Sequence, residues 1–278
     1  SEADRRDDET QHAVTLTEGF WLGKYEVTQA QWEEVMGSNP SEYKGANLPV
    51  EHVSWNEVTS FCAKLTERER KAGRLPEGYA YQLPTEAQWE YACRAGTKTA
   101  YSFGNSITTK QANFDILFQT KAVGSYPANS WGFHDMHGNV WEWCQDRYGD
   151  YPSGSVSDPM GPAVSLLRVF RGGSDRVLRG GSWQTDAQSL RSASRVRDEP
   201  DYRSIPLGFR VSLRLVEAGP KEQEKEKVAV SVNAGKAFTI RDLQLAMLWC
   251  KPGTFTMGSP TSEADRRDDE TQHAVTLT

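Results

Sequence analysis

The sequence predicts an α+β fold, and three observations carry the prediction. Three short helices are announced by capping boxes, and all lie in the first hundred residues. From Gly96 onward, Gly, Pro, Asn, Ser and Asp interrupt nearly every run, leaving room for short strands and long connections. A regular alternation of strands and helices is absent, and so is a glycine-rich phosphate loop, which argues against a doubly wound α/β sheet.

Taken in order, the first helix follows Thr28-Gln-Ala-Gln31, with Trp32, Val35 and Met36 on one face. The second follows Ser54-Trp-Asn-Glu57 and places Val58, Phe61, Cys62 and Leu65 at helical spacing. The third follows Pro84 and Thr85-Glu-Ala-Gln88, and carries Trp89, Ala92 and Cys93. In each, a hydroxyl at the cap and a Glu or Gln three residues later satisfy backbone N–H groups that the helix leaves open. Strand-like runs stand at Val228–Val232 and Ala246–Cys250, and a Lys-Pro-Gly turn leads into Thr254–Gly258.

Composition bounds the class. With 10 Phe, 10 Tyr and 9 Trp in 278 residues, the chain has the means to fill a core, which disordered chains lack. No run approaches the ~18 apolar residues of a membrane-spanning helix. Ser1 opens a polar stretch that does not read as a secretory leader. Four cysteines (Cys62, Cys93, Cys144 and Cys250) form neither a disulfide framework nor a zinc pattern and read as buried thiols.

The organisation is unusual in one respect. Residues 1–17, SEADRRDDETQHAVTLT, recur as residues 262–278, leaving 261 residues of independent sequence. Residues 216–227, VEAGPKEQEKEK, read as a charged linker without aromatics. The expected order is therefore a body at 1–215, a linker at 216–227, and opening strands of the same domain type at 228–278. One domain offers one place for the Ala-Val-Thr-Leu-Thr strand, so one of the two copies is expected to be displaced, disordered or docked onto a neighbouring molecule. Charge is also uneven: residues 168–214 hold ten Arg, no Lys and five acids within a chain of net charge −6. Such a surplus suits either an anion site or a scaffold of internal Arg pairs, and nothing else in the chain speaks for nucleic acid.

Seven stretches then fall into one pattern once the tail is moved to the front: Pro252–Gly258, Gly23–Gln29, Pro49–Trp55, Leu83–Ala92, Gly138–Trp143, Arg179–Trp183 and Gly208–Arg210. Together they resemble the formylglycine-generating (sulfatase-modifying factor) family, whose domain is a loop-rich elaboration of the C-type lectin fold. The resemblance implies an oxidase that uses a copper-binding cysteine pair between the Gly-Gly-Ser-aromatic turn and the Gly-Phe-Arg ending. Residues 184–207, QTDAQSLRSASRVRDEPDYRSIPL, contain no Cys, and a soft thiolate ligand cannot be replaced there by Ser or Asp. Copper is therefore not expected. The histidine-bearing domain of an iron-dependent branch of the family is not in this sequence.

The same resemblance implies a structural calcium ion, held at Asp135, Gly138 (backbone), Val140 (backbone) and Glu142. Those hard oxygen donors suit calcium, and a plain hydrogen-bonded loop is the other reading of Asp135 and Glu142. Asn113 and Phe114 match only part of a second calcium site. His134 and His137 form an H-x-x-H pattern without a third ligand, which speaks against a transition metal. Trp141 and Trp143 read as core, whereas Trp183 stands between core and ligand surface.

The last segment alternates frame residues (Ala187, Leu190, Arg191, Ala193, Arg195, Pro200, Arg203) with residues of mixed chemistry. The latter predict a binding surface formed by Trp183, Gln184, Thr185, Asp186, Gln188, Ser194, Val196, Arg197, Asp198, Glu199, Asp201, Tyr202 and Ser204. In this the chain resembles variable proteins of diversity-generating retroelements, which implies a non-catalytic display domain for a protein or other ligand, secreted or on a cell surface. A family oxidoreductase with a different metal arrangement and an accessory domain without a ligand are the alternatives. A second repeat, Arg168–Ser174 followed by Arg176–Ser182, duplicates a stretch that the family pattern carries once.

Overall fold

The computed structural model describes residues 12–115, 119–151, 154–162, 174–216 and 235–258. The three helices form where the caps place them: α1 (Gln29–Met36), α2 (Trp55–Lys71) and α3 (Glu86–Arg94). All three capping boxes close, with Thr28, Ser54 and Thr85 accepting from the third helical residue, whose side chain accepts from the cap. Gly37 ends α1 in the left-handed conformation at φ 84°, where a side chain would be strained.

Strands β1 (His12–Leu16), β2 (Phe20–Gly23), β3 (Tyr79–Gln82), β4 (Trp141–Arg147), β5 (Val156–Ser157), β6 (Arg176–Arg179), β7 (Arg195–Asp198), β8 (Leu207–Gly208), β9 (Ser212–Leu215), β10 (Phe238–Ile240), β11 (Leu245–Cys250) and β12 (Gly253–Met257) build three small sheets. Their orders are β12-β1-β5, β10-β11-β2-β9-β3 and β7-β6-β4-β8. The tail packs into the body: β11 pairs antiparallel with β2, Cys250 opposite Phe20, and β12 pairs with β1, Met257 opposite His12. The first copy of the 17-residue repeat therefore fills the strand position beside β12. The second copy at 262–278, the linker at 217–227, the strand expected at 228–232 and residues 168–173 of the eight-residue repeat all lie outside the described residues.

Among the described residues three apolar clusters fill the interior, the smallest around Tyr101, Phe114 and Leu190; two are large. In one, Trp32 stacks on Phe61 at 5.4 Å and meets Phe209 edge-on, joining α1, α2 and the Gly-Phe-Arg ending. In the other, Val14 and Leu16 of β1 pack with α3 and with Met257. Trp141 and Trp143 are core residues. Close backbone approach requires glycine at two family positions. A Cβ on Gly138 (φ 112°) would lie 2.5 Å from the Asn113 carbonyl oxygen, and one on Gly208 would lie 2.7 Å from that of Val50. Both glycines bring separate loops onto the end of β4, and that is where the candidate surface is anchored.

Candidate ligand-display surface and its buried support

Residues 182–206 leave β6, form a 3₁₀ turn at Ala187–Leu190, run back along β6 as β7, and cross the N-terminus of α2. Local bonds set the first bend. Ser182 N–H donates to Thr185 Oγ1 at 3.0 Å, and Asp186 caps the 3₁₀ turn by accepting from Ser189 N–H at 3.0 Å and Ser189 Oγ at 2.8 Å.

Tertiary bonds hold the rest. Arg179, wholly buried in β6, donates to the carbonyls of Ser192 (2.7 Å), Ala193 (2.7 Å) and Ser194 (2.8 Å) and pairs with Glu90. Arg195 donates to Gly149 O at 3.0 Å and to Glu86 at 2.7 Å, with its face 4.1 Å from the Tyr151 ring centroid. Arg94 links Glu90 (2.8 Å) to the carbonyl of Gly258 (2.7 Å), so α3 also clamps the end of β12. These are charge-assisted, multidentate bonds, well suited to fixing a backbone that lacks regular structure.

Between these anchors the side chains turn outward. Gln184, Asp186, Arg197, Glu199, Asp201, Tyr202 and Arg203 are exposed, Tyr202 at 47%. Thr185, Gln188, Val196, Asp198 and Ser204 are half-buried. Two predicted surface residues are corrected. Ser194, 1% exposed, sits in the frame beside the carbonyl bound by Arg179, and Trp183, 5% exposed, packs edge-on against Tyr43 at 5.8 Å. Arg203, read from sequence as frame, is exposed and pairs with Glu57 at 2.6 Å, while Asn56 donates to Asp201. Each described Arg of 174–214 has an internal partner, including Arg176 stacked 3.7 Å over Trp55 and Arg214 bound to Gln82. Most of the described Arg surplus is thus scaffold, and Arg197 and Arg203 stand on the exposed face.

Beneath the 3₁₀ turn lies a cysteine–histidine contact that sequence reasoning missed. Cys93 Sγ is 3.7 Å from His137 Nε2. His137 Nδ1 bonds the Leu190 carbonyl at 2.8 Å, so Nδ1 carries the proton, and Nε2 accepts from Ser102 N–H at 3.1 Å. Burial pushes the thiol up to about 12 and the imidazole down to about 4, so both are neutral and the pair holds loops together. His134 bonds the Tyr126 carbonyl instead, at 2.8 Å, so the two histidines share no ligand. All four cysteines are free and buried.

The residues assigned to calcium lie behind this surface. Glu142 accepts from Arg210 through both oxygens (2.6 and 2.7 Å) and from Trp89 Nε1 at 2.8 Å. Asp135 accepts from Gly124 N–H at 2.6 Å. Glu26, absent from the expected set, accepts from Asn139 Nδ2 at 2.8 Å. Three buried carboxylates therefore face one guanidinium. Burial raises Glu26 well above the carboxylate range, with Asp135 and Glu142 adding to it, and burial holds Asp135 at about 6. The donor chemistry, hard oxygens short of positive charge, fits a calcium ion. Among the described residues, however, no three His, Cys, Asp or Glu side chains converge as a metal cluster, and Glu142 is already held by Arg210.

With the geometry set, comparison with known proteins decides the family. Residues 1–215 match the sulfatase-modifying factor enzyme 1-like domain. The chain belongs to that family. Among curated relatives of this sulfatase-modifying-factor-type domain, serine/threonine-protein kinase pkn1 of Chlamydia caviae is 34% identical over 236 residues, 74% of this chain and 34% of the relative. The formylglycine-generating enzyme of Mus musculus is 30% identical over 219 residues, 72% of this chain and 52% of the enzyme. The domain thus spans about a third to a half of these relatives' lengths. Among solved structures, Treponema denticola variable protein 1 superposes with a TM-score of 0.60 at 30% identity, covering 69% of this chain and 84% of that one. The α+β architecture is the C-type lectin fold as formylglycine-generating enzymes elaborate it. No described helix is long and apolar enough to cross a membrane.

Sequence signals did exist for the two supporting acids. Glu86 and Glu90 stand four apart on a helix among Ala87, Trp89, Tyr91, Ala92 and Cys93, a placement that calls for buried cationic partners.

Proposed function

We propose that this domain is a non-catalytic binding module that presents the exposed part of residues 184–206 to a protein or other surface ligand. The observation that carries the reading is the division of that segment. The carbonyls of residues 192–194 and the Arg195 side chain are held by β6 and α3, and Leu190 and Ala193 are buried, while Gln184, Asp186, Arg197, Glu199, Asp201 and Tyr202 are exposed. A rigid frame carrying exposed side chains of mixed chemistry lowers the entropic cost of binding whichever side chains stand there. The likeness to Treponema denticola variable protein 1 supports a diversified surface. The absence of Cys from residues 184–207 supports a binding role over copper oxidation.

Sequencing sibling copies of this domain tests the reading. Substitutions are expected to concentrate at the exposed positions and to avoid Arg179, Ser194, Arg195 and Arg210, whereas even scatter along the chain overturns it. Copper titration with a cysteine-containing peptide is expected to give neither tight binding nor an aldehyde. We also infer that the acid surplus takes a structural calcium ion, with Asp135, the carbonyls of Gly138 and Val140, and Glu142 as donors. That ion would neutralise the charge that Arg210 leaves uncompensated.

A further inference from the structure

The start of α3, the end of β4 and residues 149–151 and 159–162 line a cavity of about 210 Å³. Its walls are mainly apolar, supplied by Ala87, Pro159, Met257 and the Tyr151 ring. Its polar groups are Glu86, Asp146 and Arg195, each at least nine-tenths buried, with exposed Asp150 at the mouth. A volume of several waters bounded by apolar atoms on most sides is shaped for an organic molecule.

The polar groups differ in what they have left to offer. Glu86 is engaged: Arg195 binds one oxygen at 2.7 Å and the Tyr151 hydroxyl donates to the other at 2.9 Å. Arg195 is engaged on both terminal nitrogens, by Glu86 and the Gly149 carbonyl, and on its face by Tyr148 and Tyr151. Asp146, 3% exposed, accepts one hydrogen bond, from Glu86 N–H to Oδ2 at 2.8 Å. Its Oδ1 has no hydrogen-bond partner among the described residues, and Asp146 is one of the residues lining the cavity. Oδ1 therefore keeps acceptor capacity that a donor in the cavity can use. Burial, with Glu86 adding to it, raises the Asp146 carboxyl to about 7, although Arg195 and Arg214 act against it. Among the described residues no third acid, His or Cys joins it as a metal cluster, and the apolar walls do not suit a hydrated ion.

We propose that this cavity is a binding site for a small organic cation with an apolar body, its ammonium or amidinium group on Asp146 Oδ1 and its body against Ala87, Pro159 and Met257. The site is separate from the displayed face and does not depend on that reading. Arg195 belongs to both the cavity wall and β7, so an occupant also braces the frame from behind.

Benzylammonium, benzyl alcohol and benzoate serve as matched probes, read by the Met257 methyl resonance of the full chain labelled at methionine methyls. Benzylammonium is expected to shift that resonance and saturate at millimolar concentration, with benzyl alcohol about tenfold weaker and benzoate without effect. Asp146→Asn keeps an oxygen for Glu86 N–H and is expected to weaken benzylammonium about tenfold while leaving the alcohol unchanged. Ala87→Leu fills the cavity, leaves Asp146 untouched, and is expected to weaken both probes. Equal binding of ammonium and alcohol overturns the proposal, as does full benzylammonium affinity in a folded Asp146→Asn chain. If that chain does not fold, the order of the three probes and their loss in Ala87→Leu decide. Absence of any Met257 shift overturns it outright and leaves the displayed surface unaffected.

Discussion

Two buried charge networks flank the same strand, β4, and they are balanced oppositely. Beside α3, Glu86 and Glu90 meet three guanidiniums, Arg94, Arg179 and Arg195. Burial alone pushes the Glu90 carboxyl up, but Arg94 and Arg179 outweigh it and the carboxyl ends below its ordinary range. Behind β4, Glu26, Asp135 and Glu142 share Arg210, and there burial and like charge win. The first network is complete and acts as a rivet for the displayed segment. The second lacks a positive charge, which makes it responsive to protons and cations.

The largest expected effect comes from removing the only cation of the second network. Arg210→Met leaves Glu142 buried and unpaired and should cost about 3–5 kcal/mol in urea unfolding. Arg179→Met should cost less, because Arg94 and Arg195 still pair with Glu90 and Glu86. The reverse order would dissolve the contrast between the networks. Calcium should separate them next. Added at ~100 times its dissociation constant, it should stabilise the chain by about 2.7 kcal/mol, an effect lost in Asp135→Asn and reversed by chelation.

The pH dependence should have opposite signs on the two sides of β4. Asp135 titrates higher folded than its ordinary 3.8, so its favourable contribution is complete below that value and is lost as pH rises through about 6. Glu90 titrates lower folded than unfolded, so its contribution is present above the ordinary carboxylate range and is lost as pH falls. Melting curves taken across this range without calcium should therefore flatten at the upper end in Asp135→Asn and remain acid-labile. The smallest effect belongs to the exposed face. Tyr202→Ser and Arg197→Gln should move stability by less than about 0.5 kcal/mol while changing ligand capture.

Much of this was legible in the sequence where the cause is local. Thr28, Ser54 and Thr85 mark their helices because a cap needs only the residue three positions on. The Arg-rich segment read as either an anion site or a scaffold, and the spacing of its Arg residues could not say which partners they would meet. Ser194 and Trp183 did not read as buried, because what covers them comes from other parts of the chain: Arg179 on β6 and Tyr43 before α2. The exposed Arg203 was misread for the same reason, its partner Glu57 being 146 positions away.

By itself, then, the sequence determined the family, the positions of three helices and the absence of cysteine from residues 184–207. Each depends on residue identity at short spacing or in a fixed order. Only the tertiary structure decided which charges are compensated, which face of residues 184–206 meets solvent, and where a cavity remains beside Asp146. Coulomb energy and burial depend on distance in space, and the pairs that settle them, Arg179 with Glu90 and Arg210 with Glu142, lie 89 and 68 residues apart along the chain.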